Sequence, residues 1–252
     1  MRKIRFNRII FLSALFLVSS NHIFAQAPTG DEILKNIDKN MAADTQVLTS
    51  KMVIRGRRGS RTVVSKSWME GESKTFTEYL APAREKGTKM LKLDDKLWIY
   101  SPSTDRIIQI SGHMLRQSVM GSDLSYEDMM EDSRLRNKYR AVVTGSEVID
   151  DRDCWIVELT ATTDDVAYYR MKLRVDKERW IPLREELFAK SGKLLKKLEL
   201  RDVTQIDGRW FPKRMIFKDM LKTGDGTEFI IEKIEFDKEI PEYIFSKASL
   251  RK

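Results

Sequence analysis

The chain has 252 residues, 41% of them hydrophobic, and carries 46 Lys and Arg against 38 Asp and Glu, a formal net charge of +8. Four of the basic residues and none of the acidic ones precede Gln26, so the remainder holds 42 against 38, a mild excess that gives little support for a nucleic-acid partner, which would call for a clustered basic face. The single cysteine, Cys154, excludes an internal disulfide, and the only histidine after residue 25, His113, leaves a histidine zinc centre or a hydrolytic triad short of parts.

Residues 1–25 read as a secretory signal peptide. Arg2, Lys3, Arg5 and Arg8 form its positive end, Ile9 to Val18 its apolar stretch, and Ala25 and Ala27 are small cleavage-site residues. Cleavage is expected after Ala25, because Pro28 disfavours the alternative after Ala27. No cysteine follows to carry a lipid anchor, and no later run reaches the roughly 18 apolar residues of a membrane span. A soluble periplasmic protein, with residues 26–252 in a single domain, is the expectation.

The first predicted element is a helix over Asp31 to Ala43, with Ile33, Leu34, Ile37 and Met41 at helical spacing and Thr29 or Asp31 as its cap. Period-two patterning then predicts strands near 46–55, 61–70, 74–81, 87–93, 96–101 and 105–110. Between the first two lies Arg55-Gly56-Arg57-Arg58-Gly59-Ser60-Arg61, a basic hairpin that is either a solvated tip or a dock for anionic headgroups or a membrane receptor.

Residues 112–121 place Met114, Leu115, Val119 and Met120 between Gly112 and Gly121, the composition of a lid or of a loop docked on the core. Beyond it comes a crowd of carboxylates: Asp123, Glu127, Asp128, Glu131 and Asp132. Their spacing is not that of a calcium loop, and no metal or other cofactor is expected. Asp123 or Ser125 would cap a short helix whose first turn holds Glu127 and Asp128 and whose apolar face is Tyr126, Met129 and Met130.

Seven more strands are predicted near 139–149, 153–161, 166–175, 179–188, 194–203, 209–219 and 227–237, then a short helical turn over Pro241 to Phe245 and a frayed end. Short connections imply antiparallel neighbours. Cys154 falls within a strand as apolar filler. A sheet of this many strands curls, and its inner face either packs solid with its aromatic residues or keeps a cavity. An outer-membrane barrel is disfavoured, because 193–202 and 209–219 carry charge on both faces. Nothing assembles into a catalytic constellation, so an enzyme is not expected.

Pro102, Arg106, Ser118, Met120 and the run Gly121-Ser122-Asp123-Leu124-Ser125-Tyr126-Glu127-Asp128, preceded by Pro82, Lys86-Gly87 and Leu97-Trp98-Ile99-Tyr100, resemble the signature of LolA-like outer-membrane lipoprotein-sorting proteins. The resemblance implies a mainly β fold with a few helices, a strongly curved antiparallel sheet or incomplete barrel covered by helices. It implies a periplasmic carrier that binds lipid or lipoprotein acyl chains in an apolar cavity and moves them toward the outer membrane. Trp98, Tyr100, Met114, Leu115, Val119 and Met120 are then the cavity or lid candidates, with Gly121, Ser122, Asp123, Tyr126, Glu127 and Asp128 as the structural signature. Expected partners are an inner-membrane RND-type or ABC-type transporter and an outer-membrane acceptor, the protein itself being a monomer. An envelope sensor and an accessory protein of an RND-type lipid exporter use the same fold. No residue-by-residue match to the ligand site of the best-known LolA carriers is present, which leaves the cargo open.

Overall fold

The computed structural model describes residues 27–56, 59–131 and 134–252. The signal-peptide assignment and Arg57, Arg58 and Asp132 lie outside the described residues. Helix α1 (Gly30–Met41) opens on a capping box: the Thr29 side chain accepts from the Glu32 N–H, and the Glu32 carboxylate accepts from the Thr29 N–H at 2.7 Å. Thr29, rather than Asp31, is the cap.

Six strands follow: β1 (Thr45–Gly56), β2 (Gly59–Glu70), β3 (Lys74–Ala81), β4 (Lys89–Leu93), β5 (Lys96–Ser101) and β6 (Arg106–Ile110). The cover segment comprises 3₁₀ turns at Gly112–Arg116 and Val119–Gly121 and the short helix α2 (Tyr126–Met130). Then come β7 (Tyr139–Ile149), β8 (Arg152–Ala161), β9 (Arg170–Asp176), β10 (Pro182–Phe188), β11 (Leu194–Ile206), β12 (Arg209–Asp219) and β13 (Thr227–Phe236). All thirteen strands join one open, curved sheet in the order β6-β5-β4-β3-β2-β1-β13-β12-β11-β10-β9-β8-β7, and every neighbouring pair is antiparallel. Only β1 and β13 pair across the sequence; every other contact is with the next strand, as short turns dictate.

Two expectations need correction. Among the described residues the helical cover is limited to α1 and α2, so the sheet is not covered by helices; irregular chain from 112 to 125 does much of that work. The C-terminus does not fray up to Leu250. Residues Glu242–Phe245 and Lys247–Leu250 form 3₁₀ turns, and Ile240, Phe245 and Leu250 pack on Phe76, Leu91 and Trp98. Burying such side chains offsets the entropy of holding the tail, at roughly 1.5–3 kcal/mol each.

Cross-strand register shows which face each cover lies on. Met52 pairs with Phe229, Phe229 with Met215, and Met215 with Leu200, so all four share a face. Two residues along β11, Leu198 pairs with Glu185, which pairs with Leu173. Met52 belongs to the core under the 112–130 segment, and Leu173 to the core under Ile33, Leu34 and Ile37 of α1. Both covers therefore sit on the same, inner face, α1 over β7–β10 with its C-terminal end reaching β12, where the Trp210 N–H donates to Asn40, and the 112–130 segment over β1–β6.

Candidate functional site

Between these covers the central strands present Leu198, Met215, Phe217 and Phe229 inward, and all four are only part-buried. The inner face of β11–β13 is an apolar trough that α1 and the 112–130 segment cover only in part: Met41 of α1 packs in one cluster with Leu198 and Met215, and Phe229 packs on the core under the segment. Its α1 side is walled by Leu173, Leu187 and Leu198; its other side by Met120, Leu124 and Met129, which lie over Met52, Tyr79 and Met90.

The 112–130 segment is fastened at both ends. At one end Arg61 donates to the Met120 carbonyl, and the Lys222 ammonium reaches the Ser118 hydroxyl and, at 2.6 Å, the Ser122 carbonyl. Gly121 stands here at φ +68°, where an added Cβ would meet the Arg61 guanidinium at 3.2 Å. At the other end Asp128 closes a capping box with Ser125 and also accepts from Tyr168 and Lys196, while Glu131 accepts from the Ala167 N–H at 2.8 Å. Lys92 of β4 donates to the Met130 carbonyl at 3.1 Å. The segment thus bridges the two halves of the sheet across the trough. Desolvation, then the charge of Asp128, hold the Tyr168 phenol well above its ordinary pKa.

The sequence-selected residues divide between the two faces. Met114, Leu115 and Met120 pack on the inner core, and Val119 is buried in its 3₁₀ turn. Trp98 and Tyr100 lie on the opposite face, under the C-terminal turns, with the Lys247 ammonium 4.1 Å from the Trp98 ring centre. Leu97 and Ile99 are the inward residues of β5. Tyr126 half-buries in the inner core, its phenol pushed up by desolvation. Glu127 borders an open polar groove of ≈ 570 Å³ with Lys92, Arg116 and Glu131, and desolvation raises its carboxyl.

Asp123 has a different role from capping. The Asp219 N–H and the Thr227 hydroxyl donate to its carboxylate at 3.0 and 2.8 Å, and its own N–H donates to Thr227 at 2.9 Å. Ser122 beside it is buried and accepts from the Leu124 N–H. Ser125 is the cap of α2. Asp123→Asn should therefore destabilise the fold by about 1–3 kcal/mol, since an amide accepts through one oxygen where the carboxylate uses two. Urea unfolding checks this, and an Asn variant as stable as the parent would return Asp123 to a capping role.

Cys154 is fully buried, and burial pushes its thiol up to about 11, the setting of inert filler. Three groups escaped the sequence reading: Lys196, Thr227 and Glu185. Each sits inward on a strand beside outward charged residues, so no composition signal distinguishes it. Glu185 is the carboxylate on the trough wall, between Leu173 and Leu198.

A family model described as "-like: Uncharacterized protein" matches residues 71–252. A DUF1329 family protein from Desulfovibrio piger superposes with a TM-score of 0.79 at 25% identity, over 88% of this chain and 97% of its own. An outer membrane lipoprotein-sorting protein domain from Vibrio parahaemolyticus follows at a TM-score of 0.74 and 24% identity, over 88% and 98%. A LolA superfamily protein from Nitrosomonas europaea gives 0.73 and 24%, over 88% and 100%. No curated protein matches the chain. With that family model matching most of its length, the chain belongs to the family the model describes, and it shares its fold with the LolA superfamily structure.

Proposed function

We propose that the protein is a periplasmic carrier that shelters the acyl chains of a lipid or lipoprotein in the inner trough and moves them toward the outer membrane. The part-buried row Leu198, Met215, Phe217 and Phe229, left open between two covers on one face, carries this reading. Each methylene withdrawn from water contributes about 0.8 kcal/mol, so one long chain supplies on the order of 10 kcal/mol before ordering costs, without covalent chemistry. The secretory leader directs the chain, as a single 26–252 domain and a monomer, to the compartment where such cargo travels. The Vibrio relative's description as a lipoprotein-sorting domain fits the same role. An RND-type or ABC-type transporter would load the trough and an outer-membrane acceptor would empty it, each by offering the chains equal shelter.

Purified without detergent from an envelope-bearing bacterium, the protein is expected to carry non-covalent lipid, identified by organic extraction and mass spectrometry. Protein that is repeatedly empty and takes up no fluorescent fatty acyl probe would sink this reading.

A further inference from the structure

Two charged strand residues stand inward on the α1 side of the trough: Lys196, which is paired with Asp128, and Glu185. Glu185 of β10 faces inward, paired with Leu173 on β9 and Leu198 on β11, and two residues from the buried Leu187. Its neighbours in sequence behave otherwise: Arg184 pairs with Asp150, and Glu186 with Arg174 and Lys197, on the outer face. Among the described residues Glu185 has no ion pair and no hydrogen-bond partner, and its side chain is neither exposed nor sealed. A lone carboxyl in an apolar wall costs stability unless something pairs with it.

We propose that Glu185 is a headgroup subsite, and that the trough selects amphiphiles bearing a protonated amine, whose ammonium supplies the counter-ion the protein omits. The inference rests on the carrier reading and names its ligand class. An ammonium donates a charge-assisted hydrogen bond to the carboxylate while the attached chain lies along Leu198 and Phe217.

The surroundings favour this pairing over a purely structural role. The elements packed around β10 bring three charged groups, Lys196 on β11, Asp128 on α2 and Asp38 on α1. Lys196 is committed to Asp128, and no charge contributes to the environment of Glu185. Desolvation alone pushes its carboxyl up to about 7. Below that pH the empty site is neutral and has less attraction for an ammonium; above it the site is ionised. Amine uptake should therefore rise as pH increases through about 7.

The test is displacement of the neutral probe N-phenyl-1-naphthylamine from the full-length mature protein by dodecylamine, dodecanol and dodecanoate, each below its micelle concentration. Dodecylamine is expected to displace the probe at about tenfold lower concentration than dodecanol at pH 7.5. Glu185→Gln should bring that ratio near one and remove its pH dependence. Glu185→Leu should fold at least as stably as the parent and take dodecanol more tightly. Equal displacement by all three compounds in the parent, or an amine preference that survives Glu185→Gln, overturns the subsite and leaves the carrier reading standing. Failure of the parent to bind the probe or any of the alkyl compounds overturns both.

Discussion

Replacing Lys196 with methionine is expected to cost the fold about 3–5 kcal/mol, the largest effect of any single side-chain truncation in the cover region. Lys196 is 7% exposed and Asp128 11%, so neither can recover its hydration once the other is gone. Asp128 also accepts from Tyr168 and from the Ser125 hydroxyl and N–H, which keeps the carboxylate in place as an uncompensated charge. Asp128→Leu should be comparably damaging, because it deletes the capping box of α2 as well. The double variant should lose far less than the two singles together, since removing both charges removes the unpaired one. Urea midpoints of the four proteins give the coupling, expected well above 1 kcal/mol. Simple additivity would mean that the pair is solvated in solution and does not clamp the cover. In Lys196→Met a fluorescent acyl probe should also exchange faster, because α2 is no longer tied to β11.

The sequence was most informative where local physics is sufficient. Alternation of period two, with turn residues between apolar runs, predicted all thirteen strands, because inner-face positions under a cover are mostly apolar, as in β1, where Leu48, Met52 and Ile54, with buried Ser50 among them, alternate with part-exposed residues. The starts of β9 and β10 were read too early because Tyr169 and Trp180 look strand-like; Trp180 in fact stands at φ 57°, in the turn between them. Capping was half legible. Thr29 and Ser125 have the acidic residue three positions on that a capping box needs, whereas Asp123 resembles a cap in type and becomes a tie only because β12 and β13 bring Asp219 and Thr227 to it from about a hundred residues away.

Facing was the least legible property. Leu97-Trp98-Ile99-Tyr100 is apolar at every position, so alternation cannot say which pair points inward. The answer lies in two covers remote in sequence: the 112–130 segment over Leu97 and Ile99, and the C-terminal turns over Trp98 and Tyr100. A strand buried on both faces has lost the signal that period two provides. Glu185 was hidden for the opposite reason. Arg184-Glu185-Glu186 reads as a solvated charge run, and only the pairing with Leu173 and Leu198 turns the middle residue inward.

Gly30→Ala is expected to destabilise the protein by about 1–3 kcal/mol or more and to change access to the trough. Helix propensity argues the other way, since alanine is favoured over glycine inside a helix by about 1 kcal/mol. The position overrides it. A Cβ on Gly30 would lie 2.2 Å from the Ala141 carbonyl oxygen and 2.4 Å from its carbon, atoms of the β7 backbone that cannot rotate aside. The first turn of α1 must then lift from β7, and with it Ile33 and Leu34, which are fully buried on the core of β8 and β9. Lys35→Ala, on the exposed face of the same helix, should stay within about 0.5 kcal/mol of the parent and controls for helix propensity. Thermal unfolding of the three proteins gives the stabilities, and N-phenyl-1-naphthylamine fluorescence reports how far the inner face has opened. The Gly30→Ala protein should bind more probe at lower affinity, because lifting α1 widens the α1 side of the trough. A variant that melts at or above the parent would show that the helix does not seat this closely on β7, and the α1 wall of the trough would have to be redrawn.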